Sequence, residues 1–302
     1  MRRALIAALL LTGCRLAPGP DDGPNPAPEP VDPFDPDYVQ VGSFNIDWLT
    51  ADLPGEFTPR TEADLERIGA LLVAMDIDVL TLQEIDGAEA LEALGLPEVW
   101  AWELGSTGWS QNVALLYRTD RVLVENVREV RLPTNSFPSK DPLIADVTVD
   151  GELEFTFVGL HLNPYAELSE ARYRARQVED VASWLDGDLD EGPARPVVLA
   201  GDLNDTRGGI NVQVDALQPL EDRLAFATVD TETPTNIPFA SQIDHVALAE
   251  PLEALRHGAG TEQGVTVVLH DRMDGWSDYA GGWNGEANVS THRPIYVDLR
   301  LE

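Results

Sequence analysis

The residues best placed to do chemistry stand where apolar runs stop. Val197-Val198-Leu199-Ala200-Gly201 ends in Asp202, and Leu203, Asn204 and Asp205 follow. A run rich in valine and leucine between Pro196 and Gly201 reads as a strand buried on both faces, so Asp202 and Asn204 emerge at its C-terminal end. Alternate positions of an extended chain point the same way, which lets the carboxylate and the carboxamide reach one target together. An Asx turn closing the strand is the other reading of these residues. The arrangement recurs. Asn45 and Asp47 close Ser43-Phe44-Asn45-Ile46-Asp47, Glu84 closes Leu80-Thr81-Leu82-Gln83-Glu84, and His161 closes Phe157-Val158-Gly159-Leu160-His161. Asp244 sits in Gln242-Ile243-Asp244-His245-Val246, and His292 in Ser290-Thr291-His292-Arg293-Pro294. Carboxylates are hard ligands for a divalent cation, imidazoles exchange protons near neutral pH, and carboxamides donate to anionic oxygens. Phosphate-ester hydrolysis needs such groups: charge neutralised on the nonbridging oxygens, a water activated and the leaving oxygen stabilised.

This set, in this order, resembles the endonuclease/exonuclease/phosphatase superfamily, which includes pancreatic-type deoxyribonucleases, abasic-site endonucleases, neutral sphingomyelinases and inositol-phosphate 5-phosphatases. The resemblance runs over residues 38–302. It implies an α/β fold: a four-layer sandwich of two mixed β-sheets packed face to face, with helices outside and the motif strands converging at one end. It also implies that Asp47 and Glu84 hold Mg2+ or Mn2+ while Asn45 orients them or the phosphate. Asp202 would position or deprotonate the attacking water, and Asn204 would donate to the scissile phosphate. Asp244 would orient His292 and stabilise its charged form. His161 matches the second histidine of the nuclease and sphingomyelinase branches, with a role at the leaving oxygen. Lys140, two positions before Pro142, stands where the family often places a basic residue on the phosphate; a solvated loop lysine is the alternative. One departure concerns Thr291, which replaces the aspartate of the family's Ser-Asp-His. A neutral hydroxyl there implies weaker metal affinity. It also supports a second reading, a surface lipoprotein that uses the fold to bind a ligand or partner without turnover.

Elements of both periodicities must position these groups. Tyr38 to Ile46 alternates as a strand, Thr61-Glu62-Ala63-Asp64 opens a helix carrying Leu65, Ile68, Leu72 and Met75, and Asp78 to Glu84 returns as a strand. This strand-helix-strand order builds a buried sheet with carboxylates at neighbouring strand ends. Strands follow at Val99–Leu104, Asn112–Arg118, Val122–Val130 and Leu143–Val149. Residues 168–186 read as an amphipathic helix with Val178, Val181 and Leu185 inward, and its Arg172, Arg174 and Arg176 as a solvated, salt-bridged face with Glu170 and Asp180. His245, facing away from Asp244 on a strand, reads as structural. Residues 205–240 read as loop-rich, and strands complete the chain near Ile243–Ala249, Val265–Leu269 and Ile295–Leu301. The loop 271–288, with Trp276, Tyr279 and Trp283, reads either as a substrate rim or as simple packing.

Composition sets the outer limits. The single cysteine, Cys14, rules out a disulfide within the chain. Met1-Arg2-Arg3 followed by Ala4 to Leu11 is a charged segment and an apolar one too short to span a bilayer, and Leu11-Thr12-Gly13-Cys14 resembles a bacterial lipobox. Residues 1–13 are therefore expected to be a signal peptide, with lipid on Cys14 anchoring the protein to a membrane of the bacterial cell envelope, periplasmic or at the cell surface. Residues 14–37 include eight of the 22 prolines and read as an acidic, extended spacer ahead of one domain, 38–302, expected to be a monomer. The net charge of −33 repels polyanions at long range, so tight nonspecific binding of duplex DNA is not expected. A local basic patch of Lys140, Arg207 and Arg293 could still dominate near the site. Phospholipid head groups, extracellular nucleic acid and small phosphoesters all remain open as substrates.

Overall fold

The computed structural model describes residues 35–50, 60–135, 140–189, 191–272 and 289–301. Cys14, nearly all of the proline-rich spacer and most of the 271–288 loop lie outside these residues. The chain enters through β1 (Tyr38–Leu49), crosses α1 (Glu62–Met75) and returns parallel to β1 as β2 (Val79–Ile85). Thr61 starts α1 where the sequence places it: its hydroxyl accepts from the Asp64 N–H, and the Asp64 carboxylate accepts from the Thr61 N–H. After a short α2 (Ala88–Glu92), β3 (Trp100–Leu104) and β4 (Asn112–Arg118) extend the sheet beyond β2. β11 (Thr266–Val267) and β12 (Ile295–Arg300) extend it beyond β1, giving the order β11-β12-β1-β2-β4-β3.

The second half repeats that plan, although no repeat is visible in the sequence. β7 (Leu153–His161), α3 (Leu168–Leu185) and β8 (Val197–Asp202) form another strand-helix-strand unit with parallel strands. β5 (Val122–Glu129) and β6 (Leu143–Val149) lie beyond β7, with β9 (Ala225–Phe226) and β10 (Asp244–Leu248) beyond β8. The order is β5-β6-β7-β8-β10-β9. Side-chain alternation then sorts the layers. Val39, Val41, Val79 and Leu115 of the first sheet meet Phe155, Phe157, Val198 and Val246 of the second in the central core. On the outer faces, Leu65, Ile68 and Leu72 of α1 cover Leu80 and Leu82, while Val178, Val181 and Trp184 of α3 cover Val158, Leu160 and Leu199. The result is the four-layer α/β sandwich expected. Gly201 allows β7 and β8 to close beside the site, because a Cβ there would lie 2.1 Å from the Leu160 carbonyl oxygen.

Three local expectations change. β1 continues through Ile46 to Leu49, with a break in its register against β2 between Asn45 and Leu49. Residues 205–240 hold α4 (Gln218–Glu221), strand β9 and a 3-10 turn at Ala227–Asp230 rather than loop alone. Arg174 lies on the buried stripe of α3, and its partner is Asp205 of the β8 loop instead of Glu170. Glu170 accepts from Asn163, Asp180 accepts from the Thr134 N–H, and Arg176 lies over the Tyr173 ring.

Opposite the site end, the Asp78 carboxylate accepts from the Gln40 N–H at 2.9 Å and lies 3.2 Å from the Arg121 guanidinium. Burial outweighs these partners and pushes the carboxyl up to about 6. Between its unperturbed value and about 6, the folded protein retains a proton that the unfolded chain has released, so stability is lost as pH rises through that window. Replacing Asp78 by Asn removes this contribution. Urea unfolding of both proteins should show wild type losing stability relative to Asp78→Asn between pH 4 and pH 7; a difference independent of pH would contradict the assignment.

Candidate active site

The parallel strands of both sheets deliver their C-terminal ends to one place. In the second sheet, His161 pairs in register with Asp202, and Asp202 with Asp244. In the first, Asn45 is in register with Gln83, one position before Glu84. Asn45 joins the two sheets: its Nδ2 donates to Glu84 Oε1 at 3.1 Å and to Asp202 Oδ2 at 2.9 Å. Its backbone carbonyl accepts from the Ser290 hydroxyl at 2.6 Å, and Ser290 in turn accepts from the His292 N–H at 2.9 Å. His292 Nδ1 donates to Asp244 Oδ2 at 2.9 Å. His161 Nε2 lies 3.8 Å from both Glu84 and Asp202, beyond direct hydrogen-bond distance of either.

The backbone is bent to achieve this. Asp47, Trp48, Glu84, Lys140 and Asn204 all have left-handed dihedrals, with φ of 57°, 58°, 64°, 44° and 49°. None is glycine, so each costs on the order of 1 kcal/mol, held by the surrounding structure. Breaks in the β1–β2 and β2–β4 registers coincide with the first three. Such bulges re-aim side chains at strand ends. The Asp47 N–H donates to Asn45 Oδ1 at 2.9 Å, the Trp48 N–H to Glu84 Oε2 at 3.2 Å, and Arg60 holds the Ile46 and Asp47 carbonyls at 2.8 and 2.7 Å. Asp202 and Asn204 combine both sequence readings: the Asn204 N–H closes an Asx turn on Asp202 Oδ1 at 2.8 Å, while Asp202 Oδ2 faces Asn45. Asn204 Nδ2 donates to the Leu162 carbonyl at 3.0 Å, leaving its other N–H for a ligand.

Electrostatics give the groups different tasks. Burial, then the neighbouring Asp244 charge, push the Asp202 carboxyl up to about 7. Burial, then Asp47, raise Glu84. Burial disfavours the charged form of His292, yet Asp244, Asp202 and Glu84 outweigh it and push the ring up to about 10. The 3.3 Å approach of Asn236 Nδ2 to His292 Nε2 suits a neutral ring, and in the imidazolium it is a contact between two donors. Three carboxylates nearby decide in favour of the charged form. Burial and the charges of Lys140 and His292 hold His161 well below its usual range, so it is neutral; it can donate a hydrogen bond but has no surplus proton for a leaving group.

The charge balance fits a divalent cation. Asp47, Glu84, Asp202 and Asp244 meet here, and the cations whose charges reach Glu84 include Lys140, His292 and Arg60. Asp244 Oδ1 is buried without a hydrogen-bond partner among the described residues. Two ligand sets are available: the expected Asp47 and Glu84, and Asp202, Asp244 and His292, whose ligand atoms lie within 4.8 Å of one another. Binding through His292 Nδ1 would compete with its bond to Asp244. The basic patch expected around Lys140 does not form. Arg207 pairs with Glu221, and Arg293 makes a two-pronged pair with Asp271 and donates to the Pro234 carbonyl. Thr291 is half-buried between Ser290 and His292, its carbonyl accepting from the Ile237 N–H.

Several supporting residues escape a sequence reading. Asn236 stands in a loop with no periodic signal, and Ser290, though part of the motif, gave no hint that it would tie Asn45 to His292. Arg174 had one: with Ala171, Val178 and Val181 it follows the buried helical stripe. Fully buried, it pairs with Asp205 at 2.8 Å and donates to the Asn163 and Tyr165 carbonyls, which locks the loops after His161 and Asp202 together. His245 supports the same loop from below, Nε2 donating to the Asp205 carbonyl and Nδ1 accepting from Thr228. Arg174→Met strands a buried carboxylate and should cost about 3 kcal/mol or more in urea unfolding. A loss below about 1 kcal/mol, the range of surface ion pairs, would contradict this role.

Comparison with known proteins agrees with this architecture. A crystal structure of an endonuclease/exonuclease/phosphatase family protein from Bacteroides thetaiotaomicron has a TM-score of 0.61 at 17% identity, covering 88% of this chain and 95% of that one. Humanized D. rerio TDP2 gives 0.60 at 17%, covering 87% and 99%. A mannosyl-6-phosphatase from Bacteroides thetaiotaomicron gives 0.60 at 16%, covering 86% and 99%. At these identities the likeness is one of fold. No curated protein sequence matches the chain. The model of the Endonuclease/Exonuclease/phosphatase family matches residues 42–290, and the chain belongs to that family.

Proposed function

We propose that the chain is a divalent-metal-dependent phosphoester hydrolase. The observation that carries this reading is the single carboxamide of Asn45 tying Glu84 to Asp202 while Asp244 holds a charged His292 alongside. A site that only bound a ligand would have no use for a carboxyl near neutral pKa beside an imidazolium. Among the solved relatives, one TDP2 from D. rerio is complexed with single-strand DNA product and another relative is a mannosyl-6-phosphatase, so phosphate esters are the shared chemistry.

In this reading, Asp202 orients a water and takes its proton, a task suited to a carboxyl at about 7. His292 directs its Nε2–H toward the phosphoryl oxygens, releasing the Asn236 amide as it does so. Lys140, the free N–H of Asn204 and the neutral imidazole of His161 donate to the oxygens on which charge develops. Mg2+ or Mn2+, held by Asp47 and Glu84, would supply further neutralisation of the phosphate charge. The lipobox sequence supports a cell-envelope location with lipid on Cys14; mass spectrometry of the mature protein tests it, and a mature start elsewhere would refute it.

A phosphoester panel assayed with Mg2+ or Mn2+ should show turnover that chelation abolishes and that His292→Ala lowers about 100-fold or more. Equal turnover by wild type and His292→Ala would remove the enzyme reading and favour ligand binding alone. Thr291→Asp restores the family carboxylate. It should lower the metal concentration needed for half-maximal activity with little effect at saturation; identical titrations would place Thr291 away from the metal.

A further inference from the structure

Lys140 is the only lysine of the chain, and a residue far from it in sequence governs where its charge sits. Its ammonium lies among the acids of the site: the charges of Glu84 and Asp202 act on it, and Nζ is 3.5 Å from the Leu162 carbonyl oxygen. The same oxygen accepts from Asn204 Nδ2 at 3.0 Å. Lysine ends in a compact charge on a flexible four-carbon stem, so its position near several carboxylates depends on what anchors the backbone beneath it and the carbonyl it meets.

One buried side chain of α3 reaches both anchors. In a trans peptide the C=O and the following N–H point opposite ways, so the Leu162 carbonyl is aimed through the Asn163 N–H. Gln177 Oε1 accepts from that N–H at 3.0 Å, and Arg174, one helical turn earlier, donates to the Asn163 carbonyl at 3.0 Å. At the other end of the same amide, Gln177 Nε2 donates to Asn135 Oδ1 at 2.7 Å, and Asn135 Nδ2 donates to Asp141 Oδ1 at 2.8 Å. Asp141 follows Lys140 directly, and its N–H donates to the Thr107 hydroxyl at 2.9 Å. Gln177, Asn135 and Asp141 are 3%, 5% and 2% exposed, so these bonds are shielded from solvent and strengthened by it. Lys140 has left-handed backbone, with φ of 44°, a conformation that the buried anchor on the next residue helps to hold. Gln177 shares the buried stripe of α3 with Val178 and Val181, where an apolar side chain would pack without needing partners.

We propose that Gln177 is a positioning residue for Lys140: its amide joins the loop after His161 to the loop that carries the lysine, and so sets the ammonium where a phosphate oxygen binds. The effect on turnover rests on the phosphoester hydrolase reading; the effect on the lysine does not. Asn204 depends on Gln177 less, because the bond from its own N–H to Asp202 fixes its backbone independently.

The lone lysine makes the test direct. Full-length protein grown on lysine carrying 13C at the ε-carbon gives a single labelled side chain for NMR. In a fixed side chain the two ε-protons have different surroundings and resonate separately. They should do so in the wild type and merge in Gln177→Leu, and also in Asn135→Ala, which cuts the connection on the Lys140 side. Turnover of 4-nitrophenyl phosphate and bis(4-nitrophenyl) phosphate at saturating Mn2+ is the second readout. Gln177→Leu should lower kcat/KM about tenfold, the scale of coupling within one hydrogen-bond network, but less than about twofold in a Lys140→Met background, where no ammonium is left to position. Separate ε-proton signals in both variants, or an equal loss of kcat/KM with and without Lys140, would overturn the proposal while the hydrolase reading stands. Merged signals in the variants with no turnover of either ester by the wild type would remove the hydrolase reading and leave the hold of Gln177 on Lys140 in place.

Discussion

A single buried carboxamide lets two carboxylates from different sheets share one site. Asn45 is fully buried, and its Nδ2 serves both Glu84 and Asp202. Without a neutral donor between them, two desolvated carboxylates would repel each other, and one would take up a proton or move away. The backbone of the same residue receives Ser290, which fixes His292. Strand ends β1, β2 and β8 and the segment before β12 thus meet at one side chain, and changes in sheet packing are felt there directly.

The fold supplies this meeting point twice over. Each sheet has one parallel strand pair joined by an outer helix, and parallel strands end at the same edge. Facing the two sheets brings both edges together, with Asn45 and Glu84 from one and His161 and Asp202 from the other. What remains is local adjustment. Left-handed residues and bulges at Asp47 and Glu84 bring Glu84 to within 3.8 Å of His161 of the second sheet, and the Arg174–Asp205 pair keeps the opposing loops in place.

Much of this was legible because buried strands are written as apolar runs, and the polar residue that ends a run marks a strand end. Asn45, Glu84, His161 and Asp202 could be picked out in this way, His292 came from the family resemblance, and the capping box at Thr61 marked the start of α1. The bends could not be read, since left-handed backbone at Asp47, Trp48 and Glu84 carries no glycine to announce it. Arg174 was misread because local charge pairing suggested Glu170, whereas its partner lies 31 residues away and only the buried helical stripe hinted at it. Arg293 and Arg207 looked available for phosphate for the same reason: the carboxylates that occupy them are distant in sequence. Asn236 shows the limit, a loop residue that meets His292 across 56 positions.

The central claim is that carboxylates from these strand ends form a site for a divalent ion, with Glu84 at its centre. Titration of Mn2+ into the protein, followed by the loss of its free-ion electron paramagnetic resonance signal, tests this without any substrate. The account predicts saturable binding by the wild type and markedly weaker binding by Glu84→Gln, which keeps size and hydrogen-bonding capacity but removes the charge. Equal Mn2+ affinity in the two proteins would contradict it.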